Sequence, residues 1–403
     1  MNTLANRCMD ILRSPKGCGA WYALSGAITL TWIGIEAIRT VAPDHASKQI
    51  VWFIAALVVM VMCLLPRPRV VGLGAYALLI VTLLLLGFLL IPGLPSAVVP
   101  RGRGTTAWLD LQVMHFQPSE LAKLTFILAM AWYLRFRRTY RQWRGLLIPL
   151  GLMLLPVGLI VRQPDLGTAM IFAPTLLVML IAAGARLWHI GTLVGVGTIA
   201  TVLIVLMIYF APNVADQILR PHQQDRFRGM ISQIQGDGRY DNSISFQQVK
   251  SVQLIGAGQV FGMGAEKTAK LIRWHGLPEA RNDMIFTVIV ARWGLIGAFL
   301  VFILYLLIIV SMSFVAGRSK DPFVRLAVVG FGGVVFSQAS INIAVAIGLL
   351  PVTGITLPFV SYGGSSLVIM FAMIGLTINF ASLRPPIVSR PSFEFDPPAT
   401  VGS

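Results

Sequence analysis

The sequence predicts an all-α polytopic membrane protein of about ten transmembrane helices, with a long extracytoplasmic loop between spans seven and eight. Three observations carry that expectation. Hydrophobic residues fill 56% of the 403 positions and charged residues 12%, whereas a soluble chain carries roughly 25% charged residues, so too little polar side chain exists to coat a water-facing globule. Apolar windows able to cross a bilayer, at about 20 residues each, recur along the chain. Lys and Arg are also distributed one-sidedly among the connecting segments. The same composition excludes a disordered, collagen-like or disulfide-stapled chain. Cys8, Cys18 and Cys63 show no CxxC spacing.

In chain order the windows run near 20–41, 50–65, 70–92, 117–134, 146–161, 166–184, 190–211, 284–310, 323–348 and 357–382. Those at 50–65 and 146–161 are short and must borrow flanking residues. The first has no small-residue cleavage site and reads as an uncleaved anchor. The chain therefore divides into a cytoplasmic N-terminus (1–19), a membrane domain (20–382) and a cytoplasmic tail (383–403).

Charge sets the direction. With the N-terminus inside, the inner segments hold 16 basic residues, five of them in the run Arg135, Arg137, Arg138, Arg141 and Arg144. The short outer loops hold four: Lys48, Arg101, Arg103 and Arg162. Both termini are thus expected in the cytoplasm. The net charge of +16 follows from this bias, and no basic stripe interleaved with stacking aromatics supports a nucleic-acid partner.

Residues 212–283 form the long outer loop, with nine basic and seven acidic residues. Loops beyond about 12–15 residues are usually functional or disordered. Alternation through Ile244, Phe246, Val249, Val252, Leu254 and Ile255 predicts amphipathic pieces lying on the membrane surface. Any chemistry is expected on the outer side.

Charges inside lipid are costly, so each requires a reason. Glu36 and Arg39, three apart near the end of the first span, read as a surface pair. In Gln117-Pro118-Ser119-Glu120-Leu121-Ala122-Lys123, Pro118 suits a first helical turn and Glu120 and Lys123 share a face. They form either a neutralised pair or the wall of a water-filled cavity. Arg162 and Asp165 make a salt-bridged corner or line the same cavity. Asn342 lies within a span. Pro351-Val352-Thr353-Gly354 and Leu357-Pro358 break helices before the small, hydroxyl-rich run Ser361 to Ser366. Gly256, Gly258, Gly262 and Gly264 with Lys267-Thr268 fail the spacing of a phosphate loop. The five histidines are too dispersed for a zinc site.

Taken in order, these polar islands resemble the SEDS family, the RodA/FtsW/SpoVE proteins of cell shape, division and sporulation. The resemblance rests on Gly104 to Trp108, QPSELAK at 117–123, QPDLGT at 163–168, FQQVKSVQLIGAGQVFGMG at 246–264, LPEARNDMIF at 277–286 and Asn342 to Ser366. It covers about residues 100–380 and implies the same ten-span topology in a bacterial cytoplasmic membrane.

The resemblance further implies an inverting peptidoglycan glycosyltransferase that polymerises lipid II, the lipid-linked disaccharide-pentapeptide, on the outer membrane face. It implies a class B penicillin-binding transpeptidase as partner. The family's essential aspartate, in a pattern close to LPExHTDFIF, corresponds to Asp283. Here His-Thr is replaced by Arg281-Asn282, Phe by Met284, and the acidic pair that usually follows by Ala291-Arg292. Asp283 is the expected general base for the attacking sugar hydroxyl, with Arg281 favouring its ionised form; otherwise it is a residue at a helix start. Arg101, Arg103, Lys123 and Arg281 are candidates to stabilise the leaving pyrophosphate. A divalent cation (Mg²⁺ or Mn²⁺) held by carboxylates and phosphate is a further expectation, and no organic cofactor is expected. Trp108 packs on lipid or sugar, or anchors at the interface. Glu120, Asp165, Glu279, Ser361 and Ser365 complete the expected substrate-binding set. Two other functions fit the same residues: a lipid II flippase, and a catalytically silent scaffold for a transpeptidase.

Overall fold

The computed structural model describes residues 17–93, 95, 107–110, 115–137, 141–210 and 246–382. Each of the ten windows holds one long helix. These are α1 (Gly17–Val41), α2 (Pro43–Met62), α3 (Pro68–Phe88), α4 (Pro118–Leu134), α5 (Trp143–Arg162), α6 (Leu166–Ala183) and α7 (Leu187–Phe210). After the long loop come α10 (Ile285–Arg318), α11 (Pro322–Ala346) and α12 (Gly364–Ala381). Inside the loop lie two shorter helices, α8 (Phe246–Gly258) and α9 (Ala265–His275). A minimal hairpin precedes α4: β1 (Leu109–Asp110) pairs antiparallel with β2 (His115–Phe116).

Eight of these helices are long and apolar enough to cross a membrane, and the chain is a multi-pass membrane protein. The other two windows hold α1, with Glu36 and Arg39 near its C-terminal end, and α4, 17 residues long with Glu120 and Lys123 in its first two turns. Local signals set the ends. Pro43, Pro68, Pro118 and Pro322 open their helices, where a missing N–H costs nothing. Asp165 and Asp321 accept from backbone N–H groups as N-caps of α6 and α11. Gly184 and Gly276 end α6 and α9 in the left-handed conformation.

The bundle is built round α11, which packs against α10, α6 and α4, while α12 packs against α2 and α1 against α10. Of the spanning windows, α12 is 83% buried and α7 only 6%, so α7 presents apolar side chains almost all round, as a lipid-facing helix does.

Two departures from the sequence reading position the site. First, α8 turns polar as well as apolar side chains into the bundle while Val252, Gln253, Gly256 and Ala257 stay exposed. It packs against α10 and the end of α11, burying Gln248, Ser251 and Leu254. The Gln248 amide donates to Val345 O (3.1 Å) and Leu350 O (2.5 Å), capping carbonyls at the end of α11. Second, α10 is broken at Gly294 (φ 67°). The freed backbone groups pair with residues 259–264: Met263 N donates to Ala291 O (2.9 Å) and Leu295 N to Gln259 O (2.9 Å). A Cβ on Gly294 would meet the carbonyl of Val260. The glycine-rich run thus seals a helix break.

Residues 347–363 link α11 to α12 without helix, and where this backbone is buried its polar groups must find partners in the protein. Side chains do this. Asn342 donates to Ile355 O (2.7 Å), Gln338 to Thr356 O (2.9 Å), Tyr305 to Pro358 O (2.6 Å) and Gln49 to Ser361 O (3.2 Å).

Candidate functional site

A cavity of about 350 Å³ opens at one end of the bundle. Its wall brings together the hairpin approach (Ala107, Trp108), the starts of α4 and α6 (Gln117, Glu120, Asp165, Thr168), Gln247 of α8, Glu279, Asn282 and Asp283 before α10, and Thr353 to Thr356 with Ser365 and Ser366. Motifs hundreds of residues apart therefore meet round one space.

Asp283 is held by its backbone. Its carbonyl accepts from the Asn342 amide (2.9 Å), which also grips Ile355 O. One residue earlier, Asn282 O accepts from the Ser361 hydroxyl (2.6 Å), whose oxygen accepts from Leu357 N (2.7 Å). Arg281 O accepts from Tyr362 N (3.0 Å). Three successive residues are thus clamped to the 355–362 segment, and the Asp283 carboxylate lies close to Gly354, where a Cβ would approach Oδ2 to 3.8 Å. Glu279 sits at φ 50°, a costly conformation for a residue with a Cβ. Its carboxylate accepts from the Asn282 amide (2.6 Å).

Behind the wall is a buried ion pair. Lys123 Nζ lies 2.9 Å from each carboxylate oxygen of Glu120 and donates to Gln338 Oε1 (2.7 Å). Lys123 is 1% exposed and Glu120 4%. The pair is partly the wall and partly its support, because Glu120 lines the cavity and Lys123 does not. Asp165 joins the two QP motifs. Its Oδ1 accepts from Thr168 N (3.0 Å) while Oδ2 accepts from Gln117 Nε2 (3.0 Å) and Ser119 Oγ (3.3 Å). Loss of water pushes its carboxyl up from the ordinary range, opposed by the Thr168 N–H. Of the two readings for Arg162 and Asp165, a salt-bridged corner or a share of the cavity wall, Asp165 takes the second, whereas Arg162 is exposed and not among the lining residues.

The remaining candidates divide. Trp108 and Ser365 line the cavity, Ser365 donating to His115 O (2.9 Å) and so fixing the hairpin. Ser361 acts from behind, through the Asp283 segment. Arg281 is not among the lining residues, and its guanidinium stands 6.0 Å from the centre of the Tyr362 ring. Arg101 and Arg103 lie outside the described residues. The described wall therefore carries four carboxylates (Glu120, Asp165, Glu279, Asp283) and no Lys or Arg. Among the described residues no three His, Cys, Asp or Glu converge on a metal position.

The surface pair read for Glu36 and Arg39 is larger than expected. Arg39 does bind Glu36 (2.6 Å), but Arg292 also reaches it, donating to Glu36 O (2.5 Å) and Thr40 Oγ1 (2.8 Å). The basic replacement in α10 thus ties the broken helix to α1. Gln338 and Gln247 line the cavity and Gln49 holds Ser361 O and Gly363 N; the sequence reading singled out none of the three. Gln338 stands one helical turn before Asn342 in an apolar window, and that spacing was its available signal.

Comparison with known proteins gives a consistent result. A family model described as "Cell cycle protein" (FtsW/RodA/SpoVE) matches residues 27–384. The chain is 36% identical over 310 residues to a probable peptidoglycan glycosyltransferase FtsW of Thioalkalivibrio sulfidiphilus, covering 73% of this chain and 72% of that one. It is 32% identical over 277 residues to the Bacillus subtilis protein of the same name, covering 68% of this chain and 66%, just under two thirds, of that relative. Among solved structures, a chain from work on polymerization and crosslinking by a peptidoglycan synthase complex superposes with TM-score 0.72 at 29% identity, covering 90% of this chain and 97% of that one. Thermus thermophilus RodA gives TM-score 0.64 at 26% identity, with 90% and 96% covered. The polar islands, their convergence on one cavity and these likenesses agree: the chain belongs to the FtsW/RodA/SpoVE family.

Proposed function

We propose that this protein is a peptidoglycan glycosyltransferase that polymerises lipid II by an inverting displacement, with Asp283 as general base. The observation that supports this reading above others is the placement of Asp283: on the cavity wall, with residues 281–283 fixed by Tyr362, Ser361 and Asn342. In the reaction a sugar hydroxyl of one lipid II attacks the anomeric carbon of another. The C–O bond to pyrophosphate breaks, and the hydroxyl proton passes to a carboxylate within hydrogen-bond reach. An α-linked donor and a β-linked product need one displacement, one base and no covalent intermediate.

The acidic wall shapes the electrostatics. A pyrophosphate approaching four carboxylates requires positive charge. Arg101 and Arg103, just before Ala107 in sequence, are the proposed source. A divalent cation is a second: Mg²⁺ usually binds through one or two carboxylates plus substrate phosphates, which suits a wall whose acids do not converge. Trp108, 37% exposed at the rim, offers a face to sugar or lipid.

The flippase reading requires a hydrophilic path through the bilayer. Beyond the Lys123–Glu120 pair, the core is filled by Phe126, Phe172 and Phe331, each at most 1% exposed, which favours the polymerase. The cavity end is proposed to face outward, with both termini in the cytoplasm and a class B penicillin-binding protein as partner. In purified protein given lipid II, alone and with its cognate transpeptidase, Asp283→Asn is expected to abolish glycan chains while expression and membrane insertion stay normal. Glycan chains from the variant would remove Asp283 as base. Lipid translocation without polymer would favour the flippase, and inactivity of the wild type in both settings the scaffold.

A further inference from the structure

We propose that α9 is an interfacial helix that binds the headgroups of anionic phospholipids through Lys267, Lys270 and Arg273, anchored by Trp274 and Phe261. Its depth follows from α10. That helix is broken at Gly294, and a hydrocarbon core is about 30 Å thick. The stretch from Gly294 to Arg318 alone supplies about 36 Å. Exposure changes at this break: Ile285 to Ala291 are all buried, whereas Leu295, Ile296 and Phe299 are exposed at 63%, 55% and 66%. The edge of the hydrocarbon is therefore placed near Gly294, where Arg292, Glu36 and Arg39 also gather.

Backbone pairing then fixes the start of α9 at this level, since Gly264 N donates to Arg292 O (3.1 Å) and Ile296 N to Val260 O (3.3 Å). Phe261, 81% exposed, stands beside the lipid-facing side of α10. Along α9, Thr268 and Ile272 face the protein, while Lys267, Lys270, Arg273 and Trp274 (89% exposed) face away. Glu266 answers one charge, pairing with Lys270 at 2.7 Å, and leaves a cationic helix with aromatic anchors. Basic side chains and aromatic rings at the headgroup level are the combination that binds anionic bilayers. An acidic protein surface would suit the lysines, but it would not require Phe261 at the hydrocarbon edge. This inference is independent of the glycosyltransferase reading.

The test reconstitutes the full chain in nanodiscs containing brominated phosphatidylglycerol or brominated phosphatidylcholine. Quenching of Trp274 is isolated as the difference between wild type and Trp274→Phe. The anionic lipid should quench more strongly, by a local enrichment of about fivefold per engaged basic residue, and high salt should erase the difference. Combined Lys267→Gln, Lys270→Gln and Arg273→Gln should remove the preference while quenching by phosphatidylcholine persists. Equal quenching by both lipids in the wild type overturns the proposal. So does no quenching by either, which would put α9 in water and leave its basic face for an acidic protein. A persisting preference in the triple variant overturns the residue assignment, and the salt dependence of the wild type stands by itself if that variant does not fold.

Discussion

Replacing Lys123 by Met should be among the most destabilising single changes in the membrane core. The Lys123 ammonium is 1% exposed and meets both oxygens of Glu120, itself 4% exposed, and the side-chain oxygen of Gln338. Removing it strands a carboxylate out of water, and breaking a buried pair from one side costs about 3–5 kcal/mol. Gln338 also loses its donor at a buried site, a further cost of about 1–3 kcal/mol if nothing replaces it. Replacing both partners, Glu120→Gln with Lys123→Met, leaves no charge behind. Such neutral replacements of buried pairs are often harmless, so the double variant should recover most of the loss. Denaturant titration of the purified protein in one detergent, followed by pulse proteolysis, measures all three. A single variant costing less than about 1 kcal/mol, or a double variant no better than Lys123→Met, would show that water reaches the pair and that it is not a buried support.

Three other expectations follow from the same geometry. Ser361→Ala removes two hydrogen bonds near Asp283 worth about 1 kcal/mol each; kcat for glycan polymerisation should fall about tenfold to thirtyfold with KM little changed. Asn342→Leu frees the carbonyls of Asp283 and Ile355 together, and should lower stability by about 2–4 kcal/mol in the same denaturant assay and abolish polymerisation. Gly294→Ala places a Cβ on the Val260 carbonyl at a positive φ and should reduce the yield of monodisperse protein, whereas Gly74→Ala, with open space round its Cβ position, should leave it unchanged.

The spans were legible because their signal is local and strong. Ten apolar windows became ten helices, with Pro68, Pro118, Pro322, Asp165 and Asp321 within two residues of the expected starts, whereas Pro43 opens its helix seven residues before, and Gly364 seven residues after, the expected position. The fate of the long loop was not legible. In α8 the alternation of apolar residues predicts an amphipathic helix, and Leu254 is buried, but so are the polar Gln248 and Ser251. They serve carbonyls at Val345, Ala346 and Leu350, nearly a hundred residues away. Periodicity reports which face prefers oil. It is silent on a polar face matched to unsatisfied backbone elsewhere, and in a membrane protein that match can outweigh the apolar one.

The site shows the same division. Glu120 and Asp165 stood out as charges beside apolar spans and Asp283 only through the family resemblance, and the structure puts all three on one wall. Arg281 and Lys123 were expected to bring positive charge to that wall. Sequence proximity suggested it, but Arg281 leans toward Tyr362 and Lys123 is spent on Glu120. A cation already committed to a buried carboxylate cannot also meet an incoming phosphate without exposing that carboxylate. Positive charge for the leaving group must therefore come from outside the described wall, and Arg101 and Arg103 remain the residues proposed for it. Arg101→Ala and Arg103→Ala together should weaken lipid II binding without altering denaturant stability. If the double substitution leaves both KM and kcat unchanged in a buffer containing Mg²⁺, and chelation of the metal then stops the reaction, the compensating charge is the ion's.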